Sequence, residues 1–322
     1  MPKSYLEIVH ECDGFPYPQD DPAAYKKYIS NFHAFKINGY PQIIGYMRND
    51  MVAKYPWPKE TWEVVKGKEG ESGTITLMSP IGATPDERTE LIQNTLRAAQ
   101  AYFEVIQGKA WRDELYPICI PGKPEVLASM ERAAACLFGI QTWGIHMTVY
   151  AKNEQGKYTI WVPERAANKS TFPSMLDNSV AGGMATGETP FECMLREAEE
   201  EASLPREVAK HAIATGALRY IYVREKRAGG EEGLLQPECE YIYDLKVPKD
   251  VKLTAGDGEV EQFFQMSIEE VDEKLKEGKF KPNCATVMID FFIRHGFITP
   301  ENEPDYEEIC SRLHRKLGYP EI

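Results

Sequence analysis

The chain lacks paired cysteines. Its seven stand apart at positions 12, 119, 136, 193, 239, 284 and 310, and no two form a CxxC pair. An odd, dispersed set argues against a disulfide framework or a cysteine-based zinc site, and for reduced thiols inside a cell. Long apolar runs are missing too: none approaches the roughly 20 residues that a membrane-crossing helix needs. The opening residues, MPKSYLEIVHECDGF, have neither the apolar core of a secretory signal nor the Arg- and Ser-rich, acid-poor character of a transit peptide. The expected location is the cytosol, with the nucleus also open. Basic charge is scarce, with 37 Lys and Arg against 50 Asp and Glu and a net charge of −13. The pI near 5.1 disfavours nonspecific binding to nucleic acid or to anionic membranes. A phosphate-bearing substrate would be repelled by such a chain unless a cation intervened.

What is present suffices for two domains. The chain has 322 residues, 43% of them hydrophobic, about twice an average domain. We expect an N-terminal α+β module over residues 1–125, a second domain over 126–300 and a C-terminal helix and tail over 301–322. In the first part, helices are expected at 22–31, 86–107 and 128–137, the second of them opened by the Thr84-Pro85 cap. Extended segments are expected at 32–35, 42–48, 74–78 and 111–120, with a break at Gly122 and Pro124. From residue 144 the pattern changes. Strands are expected at 145–150 and 158–162 around a turn at Asn153–Gly156, then at 218–224, 239–245 and 259–266. A polar loop runs from Arg165 to Asn178, and Gln236, Pro237 and Glu238 read as part of a second loop. Helices are expected at 268–277, 283–295 and 304–316.

The densest signal is GGMATGETPFECMLREAEEEASL, residues 182–204. On a helix each residue turns by about 100°. With Glu197 at zero, Glu201 lies near ~40° and Glu200 near ~300°, so three carboxylates share one face. Phe191, Met194, Leu195, Ala198 and Ala202 form an apolar stripe for a core. Like charges at i and i+4 repel, so helix stability does not explain the cluster. A hard divalent cation does, because Mg²⁺ takes carboxylate oxygens together with water and substrate phosphates.

The spacing resembles the Nudix box, G-x5-E-x7-R-E-U-x-E-E-x-G-U with U aliphatic. Gly182, Glu188, Arg196, Glu197, Glu200 and Glu201 all fall in place. Two positions depart: Ala198 is a small aliphatic residue, and Ser203 stands where the pattern has glycine, so it must close the helix without glycine's ease at positive φ. Segments flanking the box, including WVPERAANKSTFPSMLDNSVAGG, GLLQPECEYIYDL and DGEVEQFFQM, are similar to the Nudix branch related to thiamine pyrophosphokinase. That resemblance covers nearly the whole chain.

It implies a Nudix α/β/α sandwich with a mixed sheet, preceded by a small α+β domain, and a Mg²⁺-dependent diphosphatase, with Mn²⁺ as the alternative ion. The implied substrate is thiamine diphosphate, its damaged oxo and oxy forms above all, cut to the monophosphate. Glu197, Glu200 and Glu201 are the implied metal ligands, joined by the carbonyl of Ala181. Glu188 and Arg196 are expected to brace each other, since arginine's planar fork holds a carboxylate by two bonds. The general base stays open among Glu201, Glu259 and Glu261. Lys169 and Arg165 are candidates to meet phosphate. Tyr220, Tyr222, Tyr241 and Trp161 are candidates to stack on a ring, and Gln236 and Glu238 to read a pyrimidine. Cys193, His146 and His295 are read as structural. The expected partner is a small-molecule diphosphate, neither nucleic acid nor membrane, with monomer and homodimer both open. Two other readings stand beside this one: a Nudix enzyme for another diphosphate such as ADP-ribose or NADH, and a module that binds without catalysis. Retention of all five charged box residues disfavours the last.

Overall fold

The computed structural model describes residues 2–317 except 121, 122, 124 and 257. The expected break at Gly122 and Pro124, and Asp257 of the expected turn, lie outside the described residues. Helix α1 (Tyr5–Cys12) opens the chain, capped by Ser4 and Glu7 in a reciprocal box. After α2 (Pro22–Ile29) come β1 (Phe32–Ile37), β2 (Gly45–Arg48), α3 (Asn49–Lys54), β3 (Trp62–Val65) and β4 (Gly73–Leu77). These strands make a sheet in the order β2-β1-β4-β3, with only β1 and β4 parallel. Helix α4 (Pro85–Ala99) starts where expected, because Thr84 caps it, Glu87 returns the bond and Pro85 occupies the first turn. It ends at Ala99, and short 3₁₀ turns follow.

The expected helix at 128–137 is corrected. Residues Val126–Glu131 form strand β6, paired antiparallel with β5 (Leu115–Cys119), and only α5 (Ala135–Phe138) is α-helical. The alanines and methionine there favour a helix in isolation. Pairing with β5 and burial of Leu127, Ala128 and Met130 against α4 override that preference.

The second sheet has the order β10-β11-β7-β8-β12, built from β7 (Thr142–Lys152), β8 (Tyr158–Arg165), β10 (Ile213–Val223), β11 (Leu235–Lys246) and β12 (Val260–Met266). Strands β7 and β11 run parallel and their neighbours antiparallel. The short β9 (Val180–Gly183) pairs with Gly144–Met147 of β7, on the edge that β8 uses only from Tyr150 onward. Helices α6 (Pro190–Ala202) and α7 (Arg206–Ala209) lie on one face, where Met194, Leu195 and Ala198 pack on Ile145, Met147 and Trp161. On the other face α8 (Ile268–Lys276), α9 (Pro282–Arg294) and α10 (Tyr306–Leu313) share a core with α1. Two helical layers around a mixed sheet are the expected α/β/α sandwich. The first helix of the chain is thus an outer layer of the second sheet. Among the described residues no helix is long and apolar enough to cross a membrane.

Candidate active site

The site is assembled on β9 and α6. Thr189 caps α6 and Pro190 starts it. Gly182 and Gly183 face the helix and the N-terminal region at backbone distance. A Cβ on Gly182 would run into the Glu197 carboxylate, and one on Gly183 into the Tyr116 hydroxyl. The apolar stripe of α6 is buried as expected at Met194, Leu195, Ala198 and Ala202. Phe191 departs from it: it is 39% exposed, at the rim beside Tyr243. Ser203 closes the helix in the left-handed region at φ 49°, ψ 32°.

Glu188 and Arg196 meet fork to fork. Arg196 donates from Nε to Glu188 Oε1 at 2.8 Å and from Nη2 to Oε2 at 3.1 Å. Its Nη1 donates to Glu197 at 2.8 Å and to Glu200 at 3.0 Å. One guanidinium thus ties three box carboxylates to the glycine strand. Burial works against ionisation of Glu188, but the Arg196 fork outweighs it and holds Glu188 below the usual carboxylate range. Glu200 is the outermost of the three at 50% exposed, whereas Glu197 is 12% exposed.

Glu201 lies outside the Arg196 fork. It accepts the Ala181 amide at 3.0 Å. Burial, then the charges of Glu197 and Asp177, push its carboxyl well above the ordinary range. Burial likewise pushes Glu197 up to about 7, against the pull of Arg196. Two carboxyls driven toward protonation by burial and by neighbouring carboxylates are a donor set that a hard divalent cation fits, since it supplies the charge that both lack. Ala181 stands beside them through its pairing with His146.

A cleft of about 290 Å³ opens from Glu201 and Ala181. Its floor carries Glu238, Glu240, Tyr220 and His146. Tyr220 Oη lies 2.6 Å from Glu238 and 3.0 Å from Glu240; His146 Nε2 lies 3.8 Å from Glu240 while its Nδ1 meets Asn178 at 2.6 Å. Burial and then the neighbouring Glu240 raise Glu238. Burial also works to raise Glu240, but His146 and Tyr220 hold it low. Gln236 donates to Glu238 at 2.8 Å and accepts from Arg224 at 2.9 Å. The loop expected at residues 236–238 is corrected: all three lie in β11, opposite Tyr222, Ile221 and Tyr220. Pro237 brings no amide to that ladder, and the amide of Ile221 opposite it points away from β11, donating to Tyr17 Oη at 3.0 Å.

Lys169 and Glu259 both line the cleft and form an ion pair. Burial opposes ionisation of Glu259, and the Lys169 bond and charge overcome it, so its carboxyl sits low. Glu261 is exposed on β12, away from the cleft lining. Arg165 lines the cleft but is consumed by Asp177 at 2.7 Å and by the carbonyls of Phe172 and Thr171. Of the four aromatic candidates, Tyr220 and Tyr222 line the cleft; Trp161 belongs to the core under α6, and Tyr241 packs against that same core. His295 sits on Asp244 among Tyr150, Tyr158 and Phe291.

Several lining residues carry no signal in the sequence. Glu240 comes from β11, and Arg112, Tyr116 and Arg132 enter the cleft because the β5–β6 hairpin and its flanks pack against β9. Ser129 and Thr186 meet through their hydroxyls at 2.9 Å, and the Thr186 amide donates to the Leu115 carbonyl at 2.8 Å. Among the described residues, His146, Asp177 and Cys284 also gather within 4.8 Å. There the Cys284 thiol, raised by burial, donates to Asp177 at 2.6 Å, and Arg165 neutralises that carboxylate. This knot fastens α9 to the loop before β9.

A family model described as a NUDIX domain matches residues 143–285, and one described as a domain of unknown function, DUF4743, matches residues 19–142. An uncharacterized protein of Saccharomyces cerevisiae is 41% identical over 74% of this chain and 70% of its own length. The chloroplastic Nudix hydrolase 20 of Arabidopsis thaliana is 36% identical over 72% of this chain, a match spanning 59% of the plant protein. The crystal structure of DR0079 from Deinococcus radiodurans is similar at 21% identity with a TM-score of 0.34, covering 46% of this chain and 82% of that one. By its family match and its relatives, the chain carries a Nudix domain, the domain of hydrolases that act on diphosphate bonds.

Proposed function

We propose that this protein is a Mg²⁺-dependent diphosphatase that cuts thiamine diphosphate, and preferentially its oxo and oxy forms, to the monophosphate and phosphate. One observation supports the reading: the cleft has Glu201 and Ala181, at the edge of the crowded carboxylates, at one end and a buried, hydrogen-bonding acid pair at the other. Glu197, Glu200 and Glu201, with the Ala181 carbonyl, would hold the ion. The ion, when bound, supplies charge neutralisation of phosphate oxygens and a more acidic water.

The chain does the rest. Arg196 fixes the ligand helix against β9 through Glu188. Water attacks the terminal phosphorus, the P–O bond to the bridging oxygen breaks, and the monophosphate leaves. The proton of the attacking water passes to Glu201, which lies outside the Arg196 fork and meets the Ala181 amide. Glu259 is the weaker base, because Lys169 already satisfies it. At the far end, Tyr222 and Phe172 offer faces to a heteroaromatic ring. Glu238, raised by burial and by Glu240, is oriented by Tyr220 and Gln236 at the end of the cleft where the pyrimidine would lie. Glu240, held low, accepts from an amine. The pair therefore offers hydrogen-bonding carboxyl groups to the edge of a pyrimidine.

The test is phosphate release with Mg²⁺ from oxothiamine, oxythiamine and intact thiamine diphosphates beside ADP-ribose and NADH. Highest kcat/KM on the oxo and oxy forms supports the reading. Turnover of ADP-ribose or NADH alone discards the thiamine assignment. Silence on every substrate discards catalysis.

A further inference from the structure

The cleft lies between two regions, and two of its cations with open donor edges come from the one that matches DUF4743. Six basic side chains line it: Arg112, Arg132, Arg165, Lys169, Arg224 and Lys281. Arg165 is spent on Asp177 and two carbonyls. Arg224 is spent on Gln236 and the carbonyls of Ala228 and Gly229. Lys169 is held by Glu259. Lys281 sits at the start of α9, toward the acid pair and Asp177. Arg132 and Arg112 remain, both on the wall contributed by the region that matches DUF4743.

Arg132 is placed with care. Its guanidinium lies 5.4 Å from the centroid of the Tyr116 ring, and the Tyr116 hydroxyl abuts Gly183 of the box. Nη1 donates to Glu114 at 2.8 Å. Nε and Nη2 have no protein acceptor among the described residues, and the side chain is 45% exposed. The ring and one carboxylate therefore fix the plane of the fork and leave its other edge open. The charge of Arg132 acts on both Glu197 and Glu259, so it stands between the box helix and the opposite wall. Arg112 donates to Ser170 at 2.7 Å, beside Lys169, and meets no carboxylate through its side chain among the described residues.

We propose that Arg132, assisted by Arg112, binds the terminal phosphate of the substrate, so that the N-terminal region supplies the phosphate-binding half of the active site. This rests on the diphosphatase reading, though on no particular organic group. A diphosphate bridging the box glutamates and this wall presents non-bridging oxygens to the open edge of the guanidinium, the geometry in which arginine binds phosphate by two parallel bonds.

The test uses the full chain and methylenediphosphonate, a diphosphate that cannot be hydrolysed. Calorimetry with Mg²⁺ present gives its affinity, and Mn²⁺ titration without it gives metal affinity. Arg132→Ala should weaken the diphosphonate by about tenfold or more, and Arg112→Ala by less. Arg132→Lys should fall between, because charge is kept and the fork lost. Mn²⁺ affinity should be unchanged or tighter, since a positive neighbour of Glu197 is gone. Should Arg132→Ala fail to fold, Arg132→Gln serves in its place. Diphosphonate affinity within about twofold of wild type would overturn the proposal, as would an equal loss of Mn²⁺ affinity or a wild type that binds no diphosphonate. A wild type that binds the diphosphonate through Arg132 yet hydrolyses only ADP-ribose would sink the thiamine assignment and leave this inference standing.

Discussion

The two walls of the cleft are built on opposite principles. The box wall, β9 and α6, gathers Glu188, Glu197 and Glu200 around a single arginine and leaves Glu201 beside them on the Ala181 amide. Such crowding works against folding and makes sense only with a cation to complete it. The hairpin wall, β5 and β6, is ordinary: its strands pair, its core is buried under α4, and Arg132 has a ring and a carboxylate for company. The function of the first wall is visible as a local conflict. The function of the second is visible only as an unused guanidinium edge facing the first. A site divided this way cannot be understood from either region alone.

The comparison breaks most completely at the box. Glu200→Gln should cost several orders of magnitude in kcat while the thermal melt stays near wild type, because the side chain is half exposed and its loss relieves repulsion; a near-wild-type rate would remove Glu200 from the metal site. Next in size is Gly182→Ala. Its new Cβ must displace Glu197, with an expected loss of about 1–3 kcal/mol and of most activity. Denaturant unfolding and Mn²⁺ titration check it, and unchanged metal affinity would mean that β9 does not set the ligand helix.

A pH experiment sharpens the contrast. Between the ordinary carboxylate value of 4.5 and about 7, folded Glu197 keeps a proton that the unfolded chain releases. Metal-free stability should therefore fall as pH rises through that window, by on the order of 2 kcal/mol. Mg²⁺, which displaces the proton, should restore it most at the upper end. A metal-free protein equally stable at pH 5 and pH 7.5 would contradict the crowded-carboxylate account. The smallest effect belongs to Ser203, held at φ 49° where the box pattern has glycine. Ser203→Gly removes left-handed strain of about 1–2 kcal/mol and adds unfolded-state entropy worth about 0.5–1. A melting temperature raised by about 1–2 °C is expected, and a lowered one would mean that the serine side chain supports the cap.

What the sequence discloses follows the same division. Box spacing places α6 and its carboxylates because helix geometry alone brings residues 197, 200 and 201 together. The Asn153–Gly156 turn places β7 against β8 because both signals are local. Strand β6 is hidden, since residues 126–131 carry helix-favouring side chains whose conformation is decided by pairing with β5. Strand β9 is hidden because Val180–Gly183 reads as a glycine loop and becomes a strand only beside β7. Gln236 and Glu238 read as loop because Pro237 lies between them, whereas the strand tolerates it opposite Ile221, whose own amide turns away from β11 to Tyr17. Arg112 and Arg132 have no motif at all; their value comes from the packing of the hairpin on Gly183 and Thr186.

The most direct test is to follow oxothiamine diphosphate by phosphorus NMR with wild type and with Glu200→Gln, both with Mg²⁺. The account predicts equal amounts of monophosphate and orthophosphate from the wild type, with a signal near baseline from the variant. Intact diphosphate in a wild-type sample that binds Mn²⁺, or equal turnover by both proteins, would contradict it.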